Sequence, residues 1–171
     1  MPIEQASLPA DALLARYAGT GNYVDCLTIA VPNAVTLPEW IAAFYSSPAF
    51  RPERWLLAHL LGKPSTAQDI ADLAAGQSTR FAAWTVEQRT ADQLLLCDFQ
   101  QATRSWLMVE PLTASNGTRL YFGTAVVLSP RDGRRFGVRR ALFWGLLWFH
   151  KAYARLLLGS GANRLAAVRR A

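Results

Sequence analysis

The feature that most constrains this chain is a change of hydrophobic period near its middle. From Phe81 onward apolar side chains recur at every second residue, in β-rich runs near Phe81 to Gln88, Gln93 to Gln100, Arg104 to Glu110 and Thr118 to Leu128. The separators are short and turn-like. They are Thr90, Ala91 and Asp92, then Gln101 and Ala102, then a loop closing at Asn116 and Gly117, residue types that suit positive φ. A meander of four antiparallel strands is therefore predicted. After Pro130, Asp132 and Gly133 the period becomes helical for about twenty-five residues, from near Phe136 to Ser160, with Gly159 and Gly161 as the expected stop.

The first half adds one strand and a set of helices. Tyr23 to Val31 alternates and is ended by Pro32. Thr36 stands three residues before Glu39, the spacing at which cap hydroxyl and carboxylate satisfy each other's amides, and Leu37, Trp40, Ile41, Phe44 and Tyr45 follow at helical intervals. Pro48 and Pro52 break that helix. A second amphipathic stretch through Trp55, Leu56, Leu60 and Leu61 ends at Gly62, and a third begins with Ser65 three residues before Gln68 and stops at Gly76. Residues 1–21 read as a peripheral segment and 162–171 as a basic tail. With no repeat and no low-complexity linker, residues 1–171 form one domain. The predicted class is α+β: an antiparallel meander, helices inserted after the first strand, and a long C-terminal helix packed across the sheet.

Composition narrows the setting. At 51% hydrophobic and 18% charged residues the chain is too apolar for disorder, while its longest apolar run falls far short of the ~20 residues that cross a bilayer. Glu4 and Asp11 stand where a secretory leader would be basic and then apolar, so a cytoplasmic location is expected. Cys26 and Cys97 lie in separate predicted strands and read as free, buried thiols. His59 and His150 have no Cys or carboxylate at ligand spacing, and neither metal nor cofactor is expected. The net charge of +6 favours anionic partners at long range, and its excess gathers after residue 130, from Arg131 to Arg170.

Strand alternation sorts candidate interior residues. Ser105, Leu107 and Val109 share one face, with Arg104, Trp106, Met108 and Glu110 on the other; Leu120, Phe122, Thr124 and Val126 oppose Arg119, Tyr121, Gly123 and Ala125. The smoother apolar sets are assigned to the interior, as ordinary core or as the wall of a ligand cavity. On the terminal helix Leu142, Phe143, Leu146, Phe149, His150, Tyr153 and Leu157 fall on the side expected to grip the sheet. Asp25 and Asp98 interrupt apolar strands. Each needs a partner if buried, Arg104 being one candidate, or else an edge or outward position.

Away from the gripping side, Arg140, Trp144, Trp148, Lys151 and Arg155 form a stripe. Packing within the chain, a homodimer contact and an anionic membrane surface all suit it. Nucleic acid is not expected, because the cations do not spread over several elements and no reading motif accompanies them. No nucleophile with a base, no paired carboxylates and no phosphate-cradling glycines are found. The Gly19 to Asn22 run precedes a strand, the reverse of the dinucleotide fingerprint.

The order of elements, with the stretches Thr79 to Trp84, Ser105 to Leu107 and Trp144 to His150, resembles the helix-grip (START-like, SRPBCC) superfamily. Within it the chain is similar to uncharacterised bacterial domains, over most of residues 22–160. That resemblance implies an apolar cavity between sheet and terminal helix. It therefore implies a non-catalytic domain that binds a small hydrophobic or amphipathic ligand through Leu107, Val109, Leu120, Phe122, Phe143, Leu146, His150, Tyr153 and Leu157. The alternative is an interaction or scaffold protein that uses Trp144, Trp148, Lys151 and Arg155. An enzyme would need His150, Asp98 and Arg104 to converge inside the cavity.

Overall fold

A computed structural model describes residues 2–19, 21–52, 54, 55, 59, 64–113, 115–127 and 136–168, with side chains from 152 onward in the last stretch. The strands are β1 (Glu4–Gln5), β2 (Tyr23–Val31), β3 (Arg80–Phe81), β4 (Trp84–Arg89), β5 (Gln93–Asp98), β6 (Thr103–Pro111) and β7 (Thr118–Val126). The helices are α1 (Leu37–Tyr45), α2 (Ala67–Ala75) and α3 (Phe136–Val168), with tight helical turns at Leu13–Tyr17 and Pro48–Phe50. All seven strands form one antiparallel sheet in the order β1-β2-β7-β6-β5-β4-β3. The fold is α+β, and α3 packs against the sheet.

The meander from β4 to β7 follows the expected boundaries closely, but the run from Phe81 is two strands rather than one. Ala82 takes φ +51°, and with Ala83 it turns the chain so that Phe81 pairs with Trp84. Alanine carries none of the Gly or Asn signal that marks such turns. Gly117, expected at positive φ, has an ordinary one. It is glycine because an added Cβ would lie 2.6 Å from the Val31 carbonyl oxygen.

Local chemistry sets the helix ends. Thr36 and Glu39 make the predicted reciprocal cap of α1. For α2 the cap is shifted by one residue from the predicted Ser65: Thr66 exchanges hydrogen bonds with Asp69, while Ser65 Oγ accepts from Arg54 Nε at 3.0 Å. Gly76 closes α2 with φ +75°. Of the predicted helix through Trp55, the described residues 51, 52, 54, 55 and 59 are helical, and Leu56, Leu60, Leu61 and Gly62 lie outside the described residues.

Both faces of the sheet are covered. On one, Leu27, Ile29, Leu94, Leu96, Leu107, Val109, Leu120 and Phe122 pack with side chains of α1, α2 and α3. On the other, Cys26, Leu95, Trp106, Met108, Tyr121 and Ala125 pack beneath Ala12 and Leu14. Residues 1–21 are thus not peripheral. β1 pairs with β2, Leu14 is wholly buried, and Gly123 lacks a side chain because a Cβ there would come within 2.8 Å of Leu14 Cδ2. The Leu13 amide and the Trp106 indole N–H both donate to Gln93 Oε1, at 2.8 and 2.9 Å, and Gln93 Nε2 donates to the Asp11 carbonyl at 3.1 Å. The strap ends in a second tie, where Tyr17 donates to Glu87 and Arg104 Nε donates to both Glu87 Oε2 (2.8 Å) and the Tyr17 hydroxyl (3.0 Å).

The last helix does not stop at Gly159 and Gly161. Both lie inside α3, where the missing side chains admit neighbours: a Cβ on Gly161 would meet Trp40 Cζ3 at 2.8 Å, and one on Gly159 would meet Ile3 Cδ1 at 3.3 Å. Residues 162–168, read as a basic tail, are helical, with Ala162 and Leu165 buried in the helix-side core. No helix among the described residues is long and apolar enough to cross a membrane.

Candidate functional site

The helix-facing surface of the sheet changes character along its strands. Period-two alternation puts Leu107, Val109, Leu120 and Phe122 on this side, and all four are buried. Phe44 from α1 lies 4.8 Å from the Phe122 ring, centroid to centroid, and Trp40 donates its indole N–H to the Tyr121 carbonyl at 3.2 Å. From α3, Leu157 is buried in the same cluster. Tyr153 is half-buried and donates its hydroxyl to the Ala49 carbonyl at 3.3 Å. The side chains of Phe143, Leu146 and His150, and of Trp144, Trp148 and Lys151, lie outside the described residues; Arg155 is exposed.

Toward the start of β2 the same surface becomes polar. Asp25 on β2 faces Thr124 on β7, which in turn faces Ser105 on β6, so the pairing register sets three polar residues in one row across three strands. Thr124 and Ser105 are buried. The Thr124 amide donates to Asp25 Oδ1 at 3.0 Å, its hydroxyl donates to the same oxygen, and the Tyr23 hydroxyl donates to Asp25 Oδ2 at 3.1 Å. Burial, and then the adjacent Asp25 charge, raises the Tyr23 phenol above its ordinary value, so Tyr23 stays a donor to Asp25 at neutral pH. A hollow of about 30 Å³ lies among Gln5, Asp25, Leu27 and Arg155, room for a single water.

Another polar point is Ser47, between α1 and the Pro48–Phe50 turn. It has no exposed surface, and its Oγ has no hydrogen-bond partner among the described residues. Its neighbours in sequence belong to an aromatic cluster, with Tyr45 5.0 Å from Phe50 and 4.8 Å from Phe81. A buried hydroxyl without a partner is uncommon and calls for an explanation such as a bound water or ligand.

Of the predicted polar trio, Asp98 and Arg104 are not brought together, and the side chain of His150 lies outside the described residues. Asp98 belongs to the helix side of β5, as Leu96 does, and its Oδ1 accepts from the Ala102 and Thr103 amides at 2.8 and 3.2 Å, closing the β5–β6 turn. Arg104 points to the opposite side with Trp106 and pairs with Glu87, not with either aspartate. Asp25 is satisfied by Thr124 and Tyr23 rather than by Arg104 or an outward position. Cys26 is buried on the strap side, where desolvation and then the Asp25 charge push its thiol up to about 12, while Cys97 is only half-buried. Alternation alone identified the face of Ser105 and Thr124. Their alignment with Asp25 became visible only through the β2–β7 and β6–β7 registers, and Ser47 carries no sequence signal.

The chain matches no family model, no curated protein and no solved structure.

Proposed function

We propose that this is a binding domain of the helix-grip kind, holding a small amphipathic molecule between the sheet and α3. The observation that carries the reading is the amphipathic sheet surface. Its Leu107, Val109, Leu120 and Phe122 side chains suit an apolar body and the Asp25–Thr124–Ser105 row a polar end. Because this floor is packed against the helices, with a hollow of about 30 Å³ beside Asp25, binding requires helix side chains to move off it. The order of elements supports it: a first long strand, helices crossing to the far side of the meander, and a terminal helix returning over β2 and β7.

Titration with a dansyl-labelled fatty acid tests the proposal. Saturable, blue-shifted binding is expected, and Thr124→Val, which keeps shape but removes a hydroxyl, weakens it about fivefold, the worth of one hydrogen bond. Native mass spectrometry of the purified protein should show a bound small mass. Absence of saturable binding together with a single unliganded mass refutes the proposal.

A further inference from the structure

Charge in this chain is segregated to a degree that composition conceals. Residues 1–132 carry nine of the eighteen Lys and Arg against all twelve Asp and Glu, a net of −3. The remaining thirty-nine residues carry nine cations and no carboxylate, a net of +9. Most of that segment is α3, and between Arg140 and Lys151 its sequence is ten uncharged residues rich in Leu, Phe and Trp.

The described part of α3 shows what this composition presents to solvent. Ala154, Leu157, Leu158, Gly161, Ala162 and Leu165 face inward. At 100° per residue the outward centre line runs through Leu156 and Asn163, with Arg155 on one rim and Arg164 on the other. Leu156 is 59% exposed. Neither arginine forms an ion pair among the described residues, and the two flank an open hollow of about 540 Å³ that Pro48 also borders.

We infer that the outward face of α3 docks the protein on an anionic phospholipid surface. Arg155 and Arg164, which rim the exposed Leu156, match the boundary between negative headgroups and acyl chains. A second copy of the chain fits the same face poorly, because a two-fold contact would set cation against cation with no carboxylate after Asp132 to relieve it. A phosphate backbone would leave the exposed Leu156 without a partner. This surface meets the interior site only at Arg155, which also borders the hollow beside Asp25, and the salt arm of its test depends on no ligand there.

The test is co-flotation of the full chain with vesicles of phosphatidylcholine alone and of phosphatidylcholine with phosphatidylserine. Flotation is expected with phosphatidylserine only, with release by high salt. Arg155→Gln with Arg164→Gln lowers the partition coefficient roughly 25-fold, at about fivefold for each cation lost. Both residues are exposed, so an unchanged melting temperature verifies the fold of the double variant, and the salt arm needs no variant at all. Flotation that is absent, indifferent to phosphatidylserine, insensitive to salt or unchanged in the double variant overturns the inference. So does a dimer, seen by sedimentation equilibrium, that the same substitutions dissociate without any flotation.

Discussion

Gly161→Ala and Gly159→Ala are the same chemical change two residues apart in one helix, and the structure assigns them opposite signs. In an open helix interior, glycine to alanine stabilises by about 1 kcal/mol through lost backbone freedom in the unfolded chain. At Gly161 the new Cβ would lie 2.8 and 3.0 Å from Trp40 Cζ3 and Cη2, and 3.2 Å from the Phe44 Cα. The Trp40 ring has nowhere to move: it has no exposed surface, its N–H is engaged by Tyr121, and it packs edge-on against Phe44 at 5.4 Å. Overpacking costs up to about 3 kcal/mol, and contact with a ring that cannot move and with backbone puts this site at the upper end, so after the gain of about 1 kcal/mol Gly161→Ala should lose about 2 kcal/mol net and lower Tm by about 6 °C. At Gly159 the nearest atom is Ile3 Cδ1 at 3.3 Å, the end of a flexible, half-buried side chain that can rotate away. That variant should raise Tm by about 2 °C. Thermal unfolding followed by far-ultraviolet circular dichroism reads both shifts, and Trp40→Phe in the Gly161→Ala background should cost less than the two changes added separately. A Gly161→Ala protein as stable as the parent would refute the close approach of α3 to α1.

Gln93→Leu leaves the buried Trp106 N–H and the Leu13 amide without their acceptor, a loss of about 2–4 kcal/mol; hydrogen exchange should quicken at residues 12–17, and unchanged protection there would show that Gln93 does not hold the strap. Thr66→Ala removes the α2 cap and lowers stability by about 1 kcal/mol, whereas Ser65→Ala keeps that cap, a contrast that urea midpoints resolve. Alkaline pH should destabilise the fold: burial raises the Cys26 thiol and the Tyr121 phenol each to about 12, above ordinary values of 9.0 and 10.0. As pH climbs the unfolded chain releases these protons first, so the stability they carry is intact below about pH 9 and lost toward pH 12. Tm measured across that window should fall, and Tyr121→Phe should flatten the fall.

Much of the architecture is legible in the sequence. The Tyr23 to Val31 alternation gave β2 its ends, Thr36 with Glu39 gave α1 its start, and the short turns gave the meander its direction, because these signals act between residues a few positions apart. The same locality explains the misses. Ser65 and Thr66 are both adequate caps, and the choice fell to Thr66 once Arg54, eleven residues earlier, engaged Ser65. Gly159 and Gly161 carry the usual helix-stop signal, yet the helix continues because Trp40 and Ile3, more than a hundred residues away in sequence, occupy the space their side chains would fill.

By itself, then, the sequence determined the long strands and the starts of most helices, which side of each long strand is apolar, and where positive charge accumulates, since all of these follow from residue type and short-range period. Only the tertiary structure decided that the first segment covers the back of the sheet, that Arg104 serves Glu87 rather than an aspartate, and that Asp25, Thr124 and Ser105 share a row. Those outcomes depend on contacts between residues tens of positions apart, whose selection requires the packing of the whole chain.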